Sequence, residues 1–404
     1  MHHLPPTPAS ARLRIAFVPL GTDWPGGQSL VTNAIRALHD AQPGQVHIQI
    51  LGDASGDSRR YAGETGADGV VVHAAPGAYS PRRVASAVLV RLRHQNLSLG
   101  ATLAAAGVQV LVGEGISWRL GPVATVGWLQ DFQHVHLPAL FTAEEIAQRD
   151  RKFRDTMRLA DRLLAFVAVA DDARTFAPEY AHKVRPIRPY ALVDPSVYAR
   201  DCAAVLTRYD LPERFVYVPN QFWIHKNHLG LLQAVRILRA RGVRPCVVFT
   251  GHWHEYRDPQ HFATVTRAIA DWQLEAQIRN LGLVPRTDVY DLMRQALCVL
   301  NPSLFEGWGY SVDEAAAVGK RILASDIAAH RAQRAPACDF FDPHDPEDLA
   351  AKLERLWQTA EAGPSLALEC AARQRMPQRV EALGQTLFGV LNEAVAVHRR
   401  GAAA

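Results

Sequence analysis

Asn301 to Ala315 reads N-P-S-L-F-E-G-W-G-Y-S-V-D-E-A, a loop with two glycines and a glutamate that runs into a second glutamate. The apolar run 296–300 before it reads as a buried strand. The Ala-rich stretch after it, up to Gly319, reads as a helix ending at a glycine. Open α/β sheets bind ligands in such turns, beyond the carboxyl ends of their strands. Gly307 and Gly309 leave backbone N–H groups open to an approaching ligand. Ionised Glu306 and Glu314 accept hydrogen bonds only, which suits them to hydroxyl groups. The same letters have a plainer meaning. Ser311 to Glu314 spells a capping box, and Glu306 taken alone is a solvated loop carboxylate.

Other chemistry-bearing loops follow apolar runs in the same half of the chain. Pro219-Asn220-Gln221-Phe222-Trp223-Ile224-His225-Lys226-Asn227-His228 leads into a helical pattern at 229–240. Lys226 stands where a helix dipole disfavours a cation, a conflict that a bound anion would resolve. Thr250-Gly251-His252 and Leu283-Val284-Pro285-Arg286 are two more loops of this kind. His252 and His254 lack a third partner for a metal, and no metal site is expected.

The elements that must position these residues alternate as short strands and longer helices, the pattern of parallel βαβ units. Strands are expected at 13–18, 46–51, 69–72, 107–112, 124–129 and 163–169. A Gly/Pro loop at 19–27 precedes a helix starting near Ser29. From about residue 186 prolines 186, 189 and 195 interrupt the pattern. A second alternation has strands at 215–218, 246–249, 278–283, 296–300 and 321–324, with a helix at 345–359. The expected division is a first domain at 1–190, a linker at 191–210 and a second domain at 211–375. A terminal helical segment at 376–404 is expected to pack back toward the first domain.

The chain of 404 residues is long enough for two cores, and 48% hydrophobic with 21% charged residues is an ordinary globular balance. A net charge of +4 does not suggest a nucleic-acid binder. Basic residues do cluster, at Arg82, Arg83, Arg91 and Arg93 and from Arg149 to Arg162. These read first as solvated helix faces and second as a peripheral contact with an anionic membrane. Five scattered cysteines without a C-x-x-C point to a reducing compartment. The start of the chain lacks a signal-peptide pattern, and a cytoplasmic location is expected.

Taken together, these loops resemble glycosyltransferase family 4, the retaining GT-B enzymes that use nucleotide-sugar donors. Phe305-Glu306-Gly307-Trp308-Gly309-Tyr310-Ser311-Val312-Asp313-Glu314-Ala315 is similar to the family's F-E-G-F-G-x-P-x-x-E-A signature. Lys226-Asn227 is similar to its K-N or K-G, and Gly26-Gly27 to the glycine pair before its first helix. Ala324-Ser325-Asp326-Ile327, His330-Arg331 and Phe341-Asp342-Pro343 also resemble the pattern. The resemblance implies two Rossmann-like doubly wound domains facing across a cleft. It implies that Glu314 holds the ribose hydroxyls and Glu306 the donor sugar. It also implies that Lys226 and backbone amides from Trp308 through Gly309 and Tyr310 to Ser311 take the diphosphate, with Val284 meeting the base. No cofactor and no metal are implied.

The chain departs from that pattern in two places. Asn220 stands six residues before Lys226, where many relatives carry an arginine. Gln130-Asp131-Phe132 stands where many have H-D-L, so the usual histidine is replaced by Gln130, and Asp131 and His134 become the polar candidates. The loop around Lys226 is similar to a subgroup linked to bacterial surface polysaccharides. The expectation is therefore hexosyl transfer, with GDP-mannose as first choice of donor and a UDP-sugar as second. The acceptor would be a saccharide or a lipid-linked saccharide at the inner face of the cell membrane. A nucleotide-sugar epimerase and a degenerate partner subunit are the alternatives.

Overall fold

The computed structural model describes residues 12–20, 25–53, 55–73 and 94–403. The basic cluster from Arg82 to Arg93 lies outside the described residues. The chain divides into two compact units. The first holds Met1–Gln130, Ala147–Pro189 and Gln378–Ala404, and the second holds Asp131–Ile146 and Tyr190–Pro377.

The first unit is built on a parallel sheet of β1 (Leu13–Phe17), β2 (Val46–Gly52), β3 (Gly69–Val72), β4 (Val110–Gly113), β5 (Ala124–Leu129), β6 (Arg162–Phe166) and β7 (Val184–Ile187). Its order is β3-β2-β1-β4-β5-β6-β7. Every residue of β4 and β5 is buried, as expected of central strands covered on both faces. Pro186, expected to interrupt the pattern, lies in β7, which among the described residues pairs only with β6. An edge strand tolerates a residue that cannot donate to the ladder. The first helix runs Pro25–Ala41, so Gly26 and Gly27 belong to its first turn and the helix begins earlier than Ser29.

The second unit repeats the plan with β8 (Val216–Pro219), β9 (Val247–Thr250), β10 (Ile278–Asn280), β11 (Cys298–Asn301), β12 (Ile322–Ser325) and β13 (Cys338–Phe341). The order is β10-β9-β8-β11-β12-β13, all parallel. Alternate side chains feed two cores. Val216, Val218, Cys298 and Leu300 pack on one face of the sheet, and Tyr217 and Val299 on the other. The chain passes from β8 outward through β9 and β10 and returns to β11 beside β8. That reversal opens a crevice at the carboxyl ends of β8 and β11. The loops after these two strands carry Asn220, Lys226 and Glu306.

Two connections do more than join elements. Within 191–210, Arg200 Nη2 lies 2.6 Å from Asp291 Oδ2 and Arg208 Nη1 lies 2.7 Å from Asp288 Oδ2. Both carboxylates are buried on the helix Arg286–Gln295, so this stretch is tied to the second unit. The last helix, Leu366–Ala403, contains Pro377, and the changeover between the units falls directly after that proline. Proline removes one backbone bond from a helix interior. In the first unit Gly384 lets this helix approach the first one: a Cβ there would stand 2.0 Å from Ala37 O.

Candidate functional site

At the end of β11 Asn301 builds the turn. Its Oδ1 accepts from Ser303 N at 3.1 Å and lies 2.6 Å from Ser303 Oγ. Its Nδ2 reaches Ser311 Oγ at 2.8 Å. Ser303 Oγ also lies 2.7 Å from Glu306 Oε1. Lys226, brought from the end of β8, places Nζ 2.5 Å from the same oxygen. Asn227 turns the chain into the next helix in the left-handed region, with φ 55°, which asparagine tolerates, and anchors Nδ2 on Pro343 O at 3.0 Å. The anion that resolves the misplaced charge of Lys226 is therefore Glu306.

The electrostatics follow from this pairing. Burial alone would push the Glu306 carboxyl up, but the Lys226 ammonium overrides it and brings the group down to about 2. His225 is buried beside the same lysine, and burial and that charge hold it well below the usual histidine range. Glu306 spends Oε1 on Lys226 and Ser303, which leaves Oε2 for a ligand. Lys226 has three donors and spends one on Glu306.

The helix Tyr310–Ala317 starts at Gly309, which stands in the left-handed region at φ 84°. Ser311 is therefore already inside the helix, and the capping box does not form. Its hydroxyl lies 3.3 Å from Asn220 Oδ1. Glu314 turns to Arg286, with which it forms an ion pair. Burial pushes the Glu314 carboxyl up, and the guanidinium opposes that shift. Val284 stands two residues before Arg286 and packs partly against the core. Trp308 is buried, with Nε1 3.4 Å from Asp313 Oδ2.

The structure thus brings Asn220, Lys226, Glu306, Gly309, Tyr310, Ser311 and Glu314 to one crevice of the second unit. Asp131 and His134 lie in the segment 131–146, which follows β5 in the chain but belongs to the second unit. Asp131 Oδ1 accepts from Gln133 N at 3.1 Å. His134 is buried, stacked on Phe132 and edge-on to Phe141. The segment reaches the Glu306 loop through His136, whose ring stacks on Phe305 at 5.0 Å. Gly26 and Gly27 belong to the first unit. The loop residues 21–24 before them lie outside the described residues.

Sequence reasoning missed Arg257, Arg286 as a partner of Glu314, and Gln333. Arg257 is 7% exposed in its side chain and pairs with Glu255, which is 0% exposed. Glu255 also accepts from Ile224 N at 3.0 Å, and Arg257 Nη1 donates to Gln133 Oε1 at 3.0 Å. This buried pair joins the loop after β9 to the Lys226 loop and to the segment 131–146. The only local signal was a charged residue on each side of Tyr256, which any surface loop could carry.

Comparison with known proteins bears on the fold. The model of the family described as Glycosyl transferases group 1 matches residues 207–370. The O-antigen chain mannosyltransferase B of Escherichia coli is 26% identical over 154 residues, 38% of this chain, and the match spans 39% of that relative's length. A glycosyltransferase from Rickettsia africae superposes with a TM-score of 0.63 at 13% identity, covering 96% of this chain and 98% of that one. HepE from Anabaena, solved in complex with UDP and glucose, gives 0.62 at 13% identity, covering 97% and 99%. The fold is thus two Rossmann-like α/β units of the kind found in GT-B glycosyltransferases, and residues 207–370 match the family described as Glycosyl transferases group 1.

Proposed function

We propose that this chain is a retaining, metal-independent hexosyltransferase that takes mannose from GDP-mannose. It would pass the sugar to a saccharide or lipid-linked saccharide during synthesis of a cell-surface polysaccharide or lipopolysaccharide. One observation carries this reading. A buried lysine, an ionised carboxylate and the start of a helix converge at the switch point between β8 and β11. That set suits a sugar joined to a diphosphate. The free oxygen of Glu306 accepts from sugar hydroxyls, and Glu314 accepts from a vicinal ribose diol. Lys226 and the helix amides stabilise charge that grows on the leaving phosphate, at about 3–4 kcal/mol per well-aimed donor.

The acceptor hydroxyl attacks the anomeric carbon on the face from which the nucleotide leaves. The bond to the phosphate oxygen breaks as the new glycosidic bond forms, and that oxygen takes the acceptor's proton. No strong protein base is then required. The mannose assignment draws support from the E. coli O-antigen mannosyltransferase. The UDP and glucose bound to HepE favour a UDP-sugar as the second reading.

Thermal shifts with GDP, UDP, GDP-mannose and UDP-glucose test the donor. A ligand at about 100 times its Kd should stabilise by ~2.7 kcal/mol. A shift with UDP and none with GDP sinks the mannose assignment. Turnover of the donor in the presence of EDTA, abolished by Glu306→Ala and by Lys226→Ala, is the expected behaviour of a metal-independent transferase. Conversion of donor to its epimer without acceptor would indicate an epimerase instead.

A further inference from the structure

The helix Ala328–Gln333 presents two side chains to the glycine turn. His330 and Gln333 stand three residues apart and so share a helix face. The amide nitrogen of Gln333 donates to the carbonyl oxygens of Trp308 and Gly309, the latter at 2.9 Å. Two acceptors on that side require the nitrogen there, because only the nitrogen end of the amide donates. His330 is fully buried, with Nδ1 2.8 Å from Ser325 O. Nδ1 therefore carries the proton. A Cβ on Gly309 would stand 3.1 Å from His330 Nε2, so the ring closes the space behind the glycine.

In a planar trans peptide the carbonyl and the following N–H point in opposite directions. Holding Trp308 O and Gly309 O on Gln333 therefore aims the N–H groups of Gly309 and Tyr310 away from helix Ala328–Gln333. No backbone acceptor among the described residues takes either of these amides. A second donor is stranded at the same turn. Asn220 is 4% exposed, its Oδ1 faces Ser311, and its Nδ2 is buried without a partner. A turn with outward amides and an unspent buried donor matches the oxygens of a phosphate.

We propose that Gln333 is a positioning residue that sets the diphosphate-binding face of the Gly309 turn, with His330 as the wall that keeps the turn in place. The proposal rests on the nucleotide-sugar reading. It assigns Gln333 to the phosphates alone and leaves base and ribose to other groups.

Calorimetric titration of guanosine, GMP and GDP, and of the uridine series, tests it on the wild type, Gln333→Leu and Gln333→Glu. Leucine removes both donors at similar size, and glutamate keeps the shape but offers no donor. The expected loss is about 10- to 100-fold for the diphosphate, the size of one or two weakened bonds to a charged group. The nucleoside should change by less than about twofold, a factor below typical single-bond effects. Should the leucine variant not fold, the glutamate variant decides alone. Equal losses for nucleoside and diphosphate, or no loss, overturn the assignment while leaving the nucleotide-sugar reading standing. Failure of every nucleotide to bind the wild type overturns both.

Discussion

The Lys226–Glu306 pair should make stability depend on pH in a way that one substitution removes. The two side chains are 11% and 10% exposed and 2.5 Å apart. Lys226 holds the carboxyl at about 2, against 4.5 for a free glutamate. A shift of that size corresponds to about 3 kcal/mol of stability at neutral pH. Because the folded value is depressed, this contribution is complete above the unfolded value and is lost as pH falls toward the folded one. By about pH 3 roughly 2 kcal/mol of it should be gone. Urea unfolding of the wild type and Glu306→Gln from about pH 7 downward reads this directly, and the gap between the two should narrow on acidification. At neutral pH each single change, Glu306→Gln or Lys226→Met, leaves one buried polar group without its partner and should cost up to about 3–5 kcal/mol. The double variant should cost clearly less than the sum. Additive costs, or a gap that ignores pH, would refute the pairing as the source of the shift.

Other contacts of the two units carry three more expected outcomes. Arg286→Gln removes the charge that opposes protonation of buried Glu314, so nucleotide affinity should fall most at acidic pH and recover as pH rises; a loss uniform across pH in titration calorimetry would contradict this. Arg257→Met leaves the buried Glu255 carboxylate without its counter-charge, and the urea midpoint should drop by the equivalent of about 3–5 kcal/mol, with partial rescue by Glu255→Gln. Gly384→Val would drive a side chain into Ala37 O, and chemical denaturation should show a loss of about 1–3 kcal/mol or more, whereas Gly389→Ala, inside the same helix with open space around its Cβ position, should stabilise by about 0.5–1 kcal/mol.

Much of the fold was legible because its signals are local. The strand expected at 124–129 is β5 to the residue, and Gly319 follows the helix it was expected to end, at φ 67°. Apolar runs of four to six residues bounded by glycine and proline define parallel strands without reference to the rest of the chain. The loops at the ends of β8 and β11 could be placed for the same reason, and with them Lys226 and Glu306.

The partners could not be read in this way. The sequence allowed Ser311 to cap a helix and Glu314 to reach back, since both lie within one turn. In the fold the helix starts earlier, at the left-handed Gly309, and Glu314 pairs with Arg286, 28 residues away. Lys226 and Glu306 are 80 residues apart and meet because β8 and β11 are neighbours in the sheet. The segment 131–146 is continuous with β5, yet Arg257 and Phe305 hold it with the second unit. By itself, then, the sequence determined most of the strands and the residue types at their ends, because backbone propensity and side-chain period act over a few residues; the edge strands β7 and β13 were not among those expected. Which charges neutralise each other, and which amides are left facing outward, was decided only by the order of strands in the sheet and the burial it imposes.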